Sequence, residues 1–108
     1  MKLNLRILEG YNAGLVIPLV DRSILMGRAT TMGETAPGYL FFYEPTVSRQ
    51  HAELVWDAKI KAFWIHQRSQ TNQTLVNQVA VEPGKPKKLQ VGSTIQMGKL
   101  KLVLQLGN

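Results

Sequence analysis

The sequence is built from short runs in which apolar and polar residues alternate, and no stretch keeps the 3.6-residue period of a helix over three turns. The run from Leu100 to Leu106 is the clearest, because leucines occupy every second position between Lys101, Val103 and Gln105. This pattern predicts a strand, since successive side chains of a strand point to opposite faces of a sheet. Turn residues separate such runs roughly every 8–12 positions, so we expect an all-β sandwich or barrel of roughly ten short strands.

The other predicted strands differ in how their ends are marked. Pro18 lies inside the run from Leu15 to Leu19, and it indicates an edge strand or an early strand end because proline cannot donate to a ladder. The two runs around Asp57–Lys59 indicate a hairpin in which Trp56 and Trp64 lie on apolar core faces. Strands are expected within residues 3–7, 15–19, 24–28, 39–43, 52–56, 60–65, 74–76, 79–81, 89–97 (two strands and a turn) and 100–106, with loops at 29–38 and 68–73.

The bulk properties narrow the class of protein. A length of 108 residues is that of one domain, which we expect to span residues 1–108. The chain has no cysteine, which excludes a disulfide framework and a thiolate metal site and fits a reducing compartment. It has no apolar run of about 18 residues and no continuous apolar region at its start, so we expect no membrane insertion, no signal peptide and a cytoplasmic location. The net charge of +6 favours an anionic partner such as nucleic acid, an acidic membrane or a phosphorylated protein.

The polar residues do not form a catalytic or metal-binding pattern. His51 and His66 lack the spacing of a pair of metal ligands. Ser48 and His51 could be imagined as a nucleophile and its base, but Ser48 is not in a Gly-x-Ser-x-Gly elbow and no third member is evident. The sequence also contains no glycine-rich nucleotide motif. We therefore expect no enzyme activity, no metal, no cofactor and no small-molecule substrate.

Three polar places in the sequence carry residues that suit an anion. They are Gly27-Arg28 at the end of a predicted strand, Thr46–His51 before the next apolar run, and Gln70–Thr74 after the run that follows. Guanidinium, hydroxyl and amide groups held on the loops of a rigid scaffold are the donors that anion recognition needs. We expect the three places to converge on a single anionic ligand.

Four motifs follow one another in a characteristic order. They are Gly27-Arg28, Ser48-Arg49-Gln50-His51, Asn72-Gln73-Thr74-Leu75-Val76-Asn77 and Leu89-Gln90-Val91-Gly92-Ser93-Thr94-Ile95-Gln96-Met97-Gly98. Together they resemble the motifs of a forkhead-associated (FHA) domain. The resemblance implies a β-sandwich of about eleven mostly antiparallel strands whose loops at one end bind phosphothreonine peptides. The implied role is that of a non-catalytic signalling adaptor, and the implied partner is a threonine-phosphorylated protein.

The resemblance assigns five residues to the phosphopeptide. Arg28 resembles the arginine that forks onto the phosphate, a bidentate contact that lysine cannot reproduce. Ser48 and Thr71 match positions whose hydroxyls reach the phosphate, and Asn72 matches an asparagine that bonds the peptide main chain. Arg49 follows Ser48 and would supply a backbone N–H or a side-chain donor. A phosphothreonine brings about −1.5 to −2 charges and several acceptor oxygens, which these donors suit.

The resemblance gives other residues supporting roles. Gly27 keeps the strand end tight beside Arg28, and His51 resembles a buried histidine that ties the binding loops together by hydrogen bonds. Thr46 and Val47 lie where the family sets the preference for side chains that follow the phosphothreonine.

The sequence departs from the family pattern at several positions. Gln73 and Gln78 each replace a glycine, and a positive φ at either position would strain the backbone. Ser93 replaces an aspartate. The segment between Arg28 and Ser48 is longer than the usual spacing, so its loop could line the peptide groove or block it.

Two alternative functions remain open from the sequence. The first is a scaffold that keeps the fold but binds unphosphorylated protein. The second is a basic β-domain that binds nucleic acid, with tryptophans that stack on bases. The basic segments are Lys59 and Lys61, then Lys85, Lys87 and Lys88, then Lys99 and Lys101. We rank both alternatives below phosphothreonine recognition, the second because Trp56 and Trp64 are expected in the core.

Overall fold

Eleven strands form two β-sheets that pack face to face in the computed structural model, which describes residues 2–107. The strands are β1 (Leu3–Glu9), β2 (Val16–Pro18), β3 (Ile24–Arg28), β4 (Tyr39–Phe42), β5 (Ala52–Asp57), β6 (Ala62–Gln67), β7 (Thr74–Val76), β8 (Val79–Ala80), β9 (Lys87–Lys88), β10 (Thr94–Met97) and β11 (Leu100–Leu106). Residues 2–107 contain no helix, and therefore no helix that could cross a membrane. The predicted all-β sandwich is confirmed.

The strands are distributed over a six-stranded and a five-stranded sheet. The first has the order β2-β1-β11-β10-β7-β8, and the second has the order β4-β3-β5-β6-β9. The paired strands run antiparallel except β3 and β4, which run parallel. Parallel neighbours need a crossover connection. The loop of residues 29–38 makes this crossover, which gives a structural reason for the long segment between Arg28 and Ser48.

The core lies between the sheets and follows the two-residue period. On β11 the side chains of Leu100, Leu102 and Leu104 are buried, and they belong to one apolar cluster with Phe63 and Ile65 of β6. The other buried members of this cluster are Leu5, Ile7, Met26, Phe42, Val47, Ala52, Leu54, Val76, Val81, Leu89, Ile95 and Met97. This single core fixes the loops at both ends of the sandwich.

The two tryptophans lie on opposite faces of the five-stranded sheet, so the expectation that both are core residues is wrong for Trp64. Trp56 packs against the core with its ring centroid 4.9 Å from that of Phe63. Trp64 is half-buried on the outer face, where its indole N–H donates to Asp57 Oδ2 at 3.1 Å. The reason is the register: Trp56 pairs with Phe63 and Leu54 with Ile65, and paired residues share a face, so Phe63 and Ile65 face the core and the intervening Trp64 faces outward.

Two turns show how local chemistry sets strand ends. The turn between β7 and β8 has positive φ at both Asn77 (49°) and Gln78 (69°), as a tight hairpin requires, even though Gln78 replaces glycine. The strand expected from Leu89 is not present, because β9 ends at Lys88 and the next residues form a turn before β10. The Ser93 hydroxyl caps that turn by accepting the Gln90 amide at 2.9 Å.

The loops sort to two ends of the sandwich. At one end, which we call the loop end, lie the β1–β2 loop, the β4–β5 loop (residues 43–51), the β6–β7 loop (residues 68–73) and the β10–β11 turn. At the other, the far end, lie the β5–β6 turn (residues 58–61) and the β9–β10 turn (residues 89–93). The residues singled out in the sequence belong to the loop end.

Candidate functional site

The β4–β5 loop crosses closely over the end of β3. The amide of Arg28 donates to the carbonyl of Ser48 at 2.9 Å. A Cβ atom placed on Gly27 would lie 1.8 Å from the carbonyl oxygen of Arg49, which belongs to the backbone and cannot rotate away. Only glycine fits at this crossing, which is the tight strand end expected of Gly27.

His51 is buried and joins two loops through its ring. The amide of Ser48 donates to Nδ1 at 3.0 Å, so the proton is on Nε2, which donates to the carbonyl of Gln73 at 2.9 Å. Backbone groups thus use both ring nitrogens, and the ring is not placed to act as a base for the Ser48 hydroxyl. Burial lowers the pKa of His51 below its ordinary value of 6.5, and the hydrogen bond to Gln73 opposes this shift only in part.

Ser69 organises the β6–β7 loop. Its side chain is buried, and its oxygen accepts the amides of Thr71 at 3.2 Å and Asn72 at 3.0 Å. Gln67 supports the same loop, because its Nε2 donates to the carbonyls of Ser69 at 2.8 Å and Asn72 at 2.7 Å. Thr71 and Asn72 are therefore held in place although both are exposed.

The hydrogen bonds that Ser48 makes with its neighbours use its side-chain oxygen and leave its hydroxyl proton free to donate. Because Ser69 Oγ already accepts two amides, its own O–H is the donor in the 2.9 Å contact with Ser48 Oγ. Ser48 Oγ also accepts a hydrogen bond from Asn72 Nδ2 at 2.7 Å. Both lone pairs of the Ser48 oxygen are then filled, and within residues 2–107 its proton has no acceptor. The remaining O–H group can donate to a ligand.

Arg28 is half-buried, and its guanidinium is anchored on the β4–β5 loop. Its Nη1 donates to the carbonyl of Val47 at 3.0 Å. In the part of the chain that the structure describes, no carboxylate pairs with Arg28. A guanidinium carries several further N–H donors. These donors stay available next to Ser48.

The Arg49 side chain is exposed and faces the β3–β4 loop. Its Nη1 lies 3.4 Å from Glu34 Oε1, the guanidinium lies 5.4 Å from the centroid of the Phe41 ring, and Nη1 also donates to the carbonyl of Arg28. Glu34 in turn accepts the amide and hydroxyl of Thr30 at 2.6 and 2.9 Å, and the Thr30 amide is the main cause that lowers the pKa of Glu34. Arg49 is thus paired with an ionised carboxylate.

The β10–β11 turn packs against the β4–β5 loop through Thr46. The Thr46 hydroxyl donates to Glu44 Oε1 at 3.0 Å and accepts the Lys99 amide at 2.7 Å. A groove of about 690 Å³ lies beside this junction, and its walls include Tyr11 and Tyr43, whose rings pack edge to face with centroids 5.5 Å apart. Val47 is fully buried, so its side chain packs in the core and does not line the groove.

The structure joins the predicted ligand-binding residues in one hydrogen-bonded group. Its members are Arg28, Ser48, Arg49, Thr71 and Asn72, linked through Ser69, Val47 and the backbone. Sequence reasoning misses Ser69 and Gln67, because the run of polar residues there indicates only a loop. A serine followed at two and three positions by exposed loop residues is compatible with a hydroxyl cap, and this is the signal that could have found Ser69.

The substitution of glycine by Gln73 does not strain this loop. Gln73 is not among the residues with positive φ, so the loop follows a path that an ordinary residue can adopt. Its carbonyl still serves His51. Residues 2–107 contain no cluster of three or more His, Asp or Glu side chains arranged to hold a metal ion.

Comparison with known families matches residues 24–98 to the FHA domain. The chain belongs to the FHA domain family. Recognition of phosphothreonine is the known character of this family, and FHA domains are known as non-catalytic interaction modules. No curated protein sequence matches the chain.

Solved structures agree on the fold. The FHA domain of an Arabidopsis thaliana hypothetical protein is 20% identical, with a TM-score of 0.82 over 99% of this chain and 86% of that one. The FHA domain of the CT664 protein from Chlamydia trachomatis is 17% identical, with a TM-score of 0.78 over 100% of both chains. The FHA domain of MEK1, solved in complex with a phosphothreonine peptide of HOP1, is 21% identical, with a TM-score of 0.69 over 98% of this chain and 97% of that one.

Proposed function

We propose that residues 1–108 form one non-catalytic module that binds a threonine-phosphorylated partner protein at its loop end and acts as a signalling adaptor. Membership of the FHA family supports the class of ligand. The complex of the MEK1 domain with a phosphothreonine peptide is a precedent on the same fold. The same proposal places the module in the cytoplasm, and the absence of cysteine from the sequence fits a reducing compartment.

The observation that carries the proposal is the state of the Ser48 hydroxyl. Its oxygen accepts hydrogen bonds from Ser69 and Asn72, so its proton is available to an acceptor outside the chain. A hydrogen bond to a charged acceptor is stronger than one between neutral groups, and a phosphate offers several such acceptors. The hydroxyl is already oriented before the ligand arrives, which reduces the entropy cost of binding.

Arg28 supplies the charge in this arrangement. Its anchored guanidinium, without a carboxylate partner in residues 2–107, suits a bidentate contact with the phosphate. The exposed Thr71 hydroxyl adds a further donor, and Asn72 bonds the peptide main chain. Arg49 contributes a second guanidinium once it exchanges Glu34 for the phosphate. The peptide that flanks the phosphothreonine lies along the groove walled by the tyrosines.

The first experiment compares one peptide sequence in three forms by isothermal titration calorimetry. The sequence is taken from a phosphothreonine peptide library, and its unphosphorylated and phosphoserine copies are the controls. We expect no measurable binding of the unphosphorylated copy. The phosphoserine copy should bind severalfold more weakly, because it lacks a methyl group whose burial contributes about 0.8 kcal/mol. Equal binding of the phosphorylated and unphosphorylated copies would favour the phosphate-independent scaffold.

The second experiment tests Arg28 directly. Arg28→Ala should weaken binding of the phosphothreonine peptide by about 2–5 kcal/mol, and Arg28→Lys should not restore it because an ammonium lacks the bidentate geometry. Arg6→Ala, on the exposed face of β1, is the matched control and should bind like the parent. If folded Arg28→Ala binds the peptide as tightly as the parent, the assignment of the phosphate site is wrong.

A further inference from the structure

The β6–β7 loop, which carries Thr71 and Asn72, stands between two open spaces. A cavity of about 420 Å³ lies between this loop and residues 80–83, and all the loop residues, 68–73, line it. A smaller cavity of about 240 Å³ lies between the loop and Gln96 and Gly98. Within the loop only Ser69 is buried. Packing therefore holds the loop weakly, and its conformation depends on hydrogen bonds.

His51 fixes the two ends of the loop. Its carbonyl accepts the amides of Arg68 and Ser69, each at 3.0 Å, and its ring holds the carbonyl of Gln73 at 2.9 Å. The Ser69 hydroxyl then caps two amides in the middle of the loop. These contacts engage the amides there but supply no donor to the carbonyl groups.

Gln67 supplies the donors that those carbonyl groups need. It is the last residue of β6 and pairs with Ala52 of β5, so its backbone belongs to the sheet. Its Nε2 donates to the carbonyl of Ser69 at 2.8 Å and to that of Asn72 at 2.7 Å. A primary amide has two N–H groups, so both of them are used.

The oxygen of the same amide makes no contact of this kind. Gln67 Oε1 is buried, and within residues 2–107 it has no hydrogen-bond partner. The reversed amide would place this oxygen against two carbonyl oxygens, so only the observed orientation suits the loop. Because an unpartnered buried acceptor is unfavourable, Gln67 serves the loop through its two donors alone.

Asn72 is held at both of its peptide groups as a result. Its amide donates to Ser69 Oγ at 3.0 Å, and its carbonyl accepts from Gln67. Fixing the two peptide planes fixes φ and ψ of the residue, and with them the direction of its side chain. That side chain reaches Ser48, with 2.7 Å between Nδ2 and the Ser48 oxygen. Thr71 differs, because its amide is held but its carbonyl has no donor within residues 2–107.

We propose that Gln67 is the positioning residue for Asn72: by holding the Asn72 carbonyl, it directs the asparagine side chain at the main chain of a bound phosphothreonine peptide. The proposal rests on the proposed function of the loop end. The amide of Gln67 donates to neither Arg28 nor Ser48, and Ser48 keeps its hydrogen bond with Ser69 when Asn72 moves. Gln67 therefore governs the hold on the peptide main chain and leaves the phosphate contacts in place.

The test is a double-mutant cycle, measured by calorimetric titration with one phosphothreonine peptide. Gln67→Met keeps the length of the side chain and removes both donors, and it should weaken binding about fivefold, as expected for lost hydrogen bonds of ordinary strength. Combined with Asn72→Ala, the same change should have less than about a twofold effect, because the positioned group is already gone. Combined with Thr71→Ala, it should keep its full effect.

Two variants and the Tm control for general effects. Gln70→Met makes the same change at an exposed glutamine of the same loop and should bind like the parent. Gln67→Asn keeps an amide on a shorter side chain and should weaken binding less, with the same coupling to Asn72; it carries the test if Gln67→Met does not fold. The Tm of Gln67→Met should stay near that of the parent, because loss of the unpartnered acceptor offsets the lost hydrogen bonds.

The outcomes separate this proposal from the proposed function. If the parent binds no phosphothreonine peptide, the proposed function fails and this proposal fails with it. If the parent binds but Gln67→Met binds equally tightly, or if its effect persists in full beside Asn72→Ala, Gln67 is not a positioning residue while the proposed function stands. A lower Tm with an equal loss of affinity in the Asn72→Ala and Thr71→Ala backgrounds would leave Gln67 a structural role only.

Discussion

Ser48 and Ser69 share one hydrogen bond but differ in what else depends on them. Ser69 is 9% exposed and caps two loop amides, so its oxygen is part of the folded structure. Ser48 is more exposed, and its hydroxyl proton is free to reach a ligand. A buried donor that loses its acceptor costs about 1–3 kcal/mol. The two serines should therefore respond differently to the same substitution.

Ser48→Ala should lower the affinity for a phosphothreonine peptide by about 1.5–3 kcal/mol, the value of a hydrogen bond to a charged group, with little change in Tm. Ser69→Ala should lower both the affinity and the Tm, because the amides of Thr71 and Asn72 lose their cap. Calorimetric unfolding and titration of both variants separate the two effects. A Ser48→Ala variant that binds like the parent would remove Ser48 from the phosphate site.

His51 makes the loop end sensitive to acid. Protonation would place a proton on Nδ1, which now accepts the Ser48 amide, and would charge a buried ring. Because the pKa of His51 in the folded protein lies below its ordinary value of 6.5, the unfolded chain binds the proton first as the pH falls. The contribution to stability is therefore complete above pH 6.5 and decreases as the pH falls toward the lowered pKa.

The Tm of the parent should fall between about pH 7 and about pH 5, and this slope should be smaller for His51→Gln, whose Tm is lower throughout. Glu34 and Asp57, whose pKa values are lowered from 4.5 and 3.8, do not titrate in this interval. His66→Gln, which removes the other histidine, is the matched control variant. If His51→Gln keeps the full slope, the acid sensitivity lies elsewhere.

At the scale of elements, the β3–β4 loop brings an acidic group, Glu34, next to the proposed phosphate site. Glu34 is held in place by Thr30, so its carboxylate remains beside Arg49 and does not swing freely into solvent. A phosphate that approaches Arg49 must displace this carboxylate or share the guanidinium with it. The ion pair is exposed and therefore weak, which makes displacement easy.

Glu34→Gln should tighten binding of a phosphothreonine peptide about two- to fivefold, because it removes a competing anion while the amide oxygen can still accept from Thr30. Glu82→Gln removes the same charge from an exposed pair with Lys85 and should change the affinity little. Titrations at low and moderate salt provide the comparison. Weaker binding by Glu34→Gln would mean that Glu34 positions Arg49 instead of competing for it.

The elements that sequence reasoning predicted correctly are those set by the alternation of buried residues or by the chemistry of one residue. The leucines of β11 and the edge position of β2, with Pro18, follow from the two-residue period and the chemistry of proline. The face of Trp64 could not be predicted, because a turn with a left-handed Lys61 decides where β6 begins and a short shift in register inverts the faces.

The candidate site also has features that the sequence predicts and features that it does not. The convergence of the loops around Ser48 could be predicted because the motifs mark strand ends that meet at one end of a sandwich. Ser69 and Glu34 are not found from periodicity, because a side chain that caps a loop or pairs across a crossover leaves no periodic pattern in the sequence; only the loop residues that follow Ser69 are compatible with its role as a cap. Their roles depend on contacts between segments that are distant along the chain.

At the scale of the whole molecule, the net charge of +6 raises the question of whether the domain binds nucleic acid. Within residues 2–107, four of the cations are paired with acids, and the lysines are spread over both ends and the edge strand β9. Trp64 donates its indole N–H to Asp57, and Trp56 packs against the core. Trp56 faces the core, and Trp64 lies beside the Asp57 carboxylate, which repels a phosphate backbone, so nucleic acid is left mainly with diffuse positive charge.

We therefore expect weak, sequence-independent binding of a single-stranded oligonucleotide that disappears near physiological salt, because counterion release supplies most of such an affinity. Fluorescence anisotropy across a salt series measures this dependence, and Lys87→Ala combined with Lys88→Ala should reduce its slope. The phosphothreonine peptide should lose less affinity over the same series, since the half-buried Arg28 and the oriented Ser48 hydroxyl are screened less than exposed lysines. Sub-micromolar oligonucleotide binding at about 150 mM salt, unchanged by Arg28→Ala, would reverse this order and make nucleic acid the principal ligand.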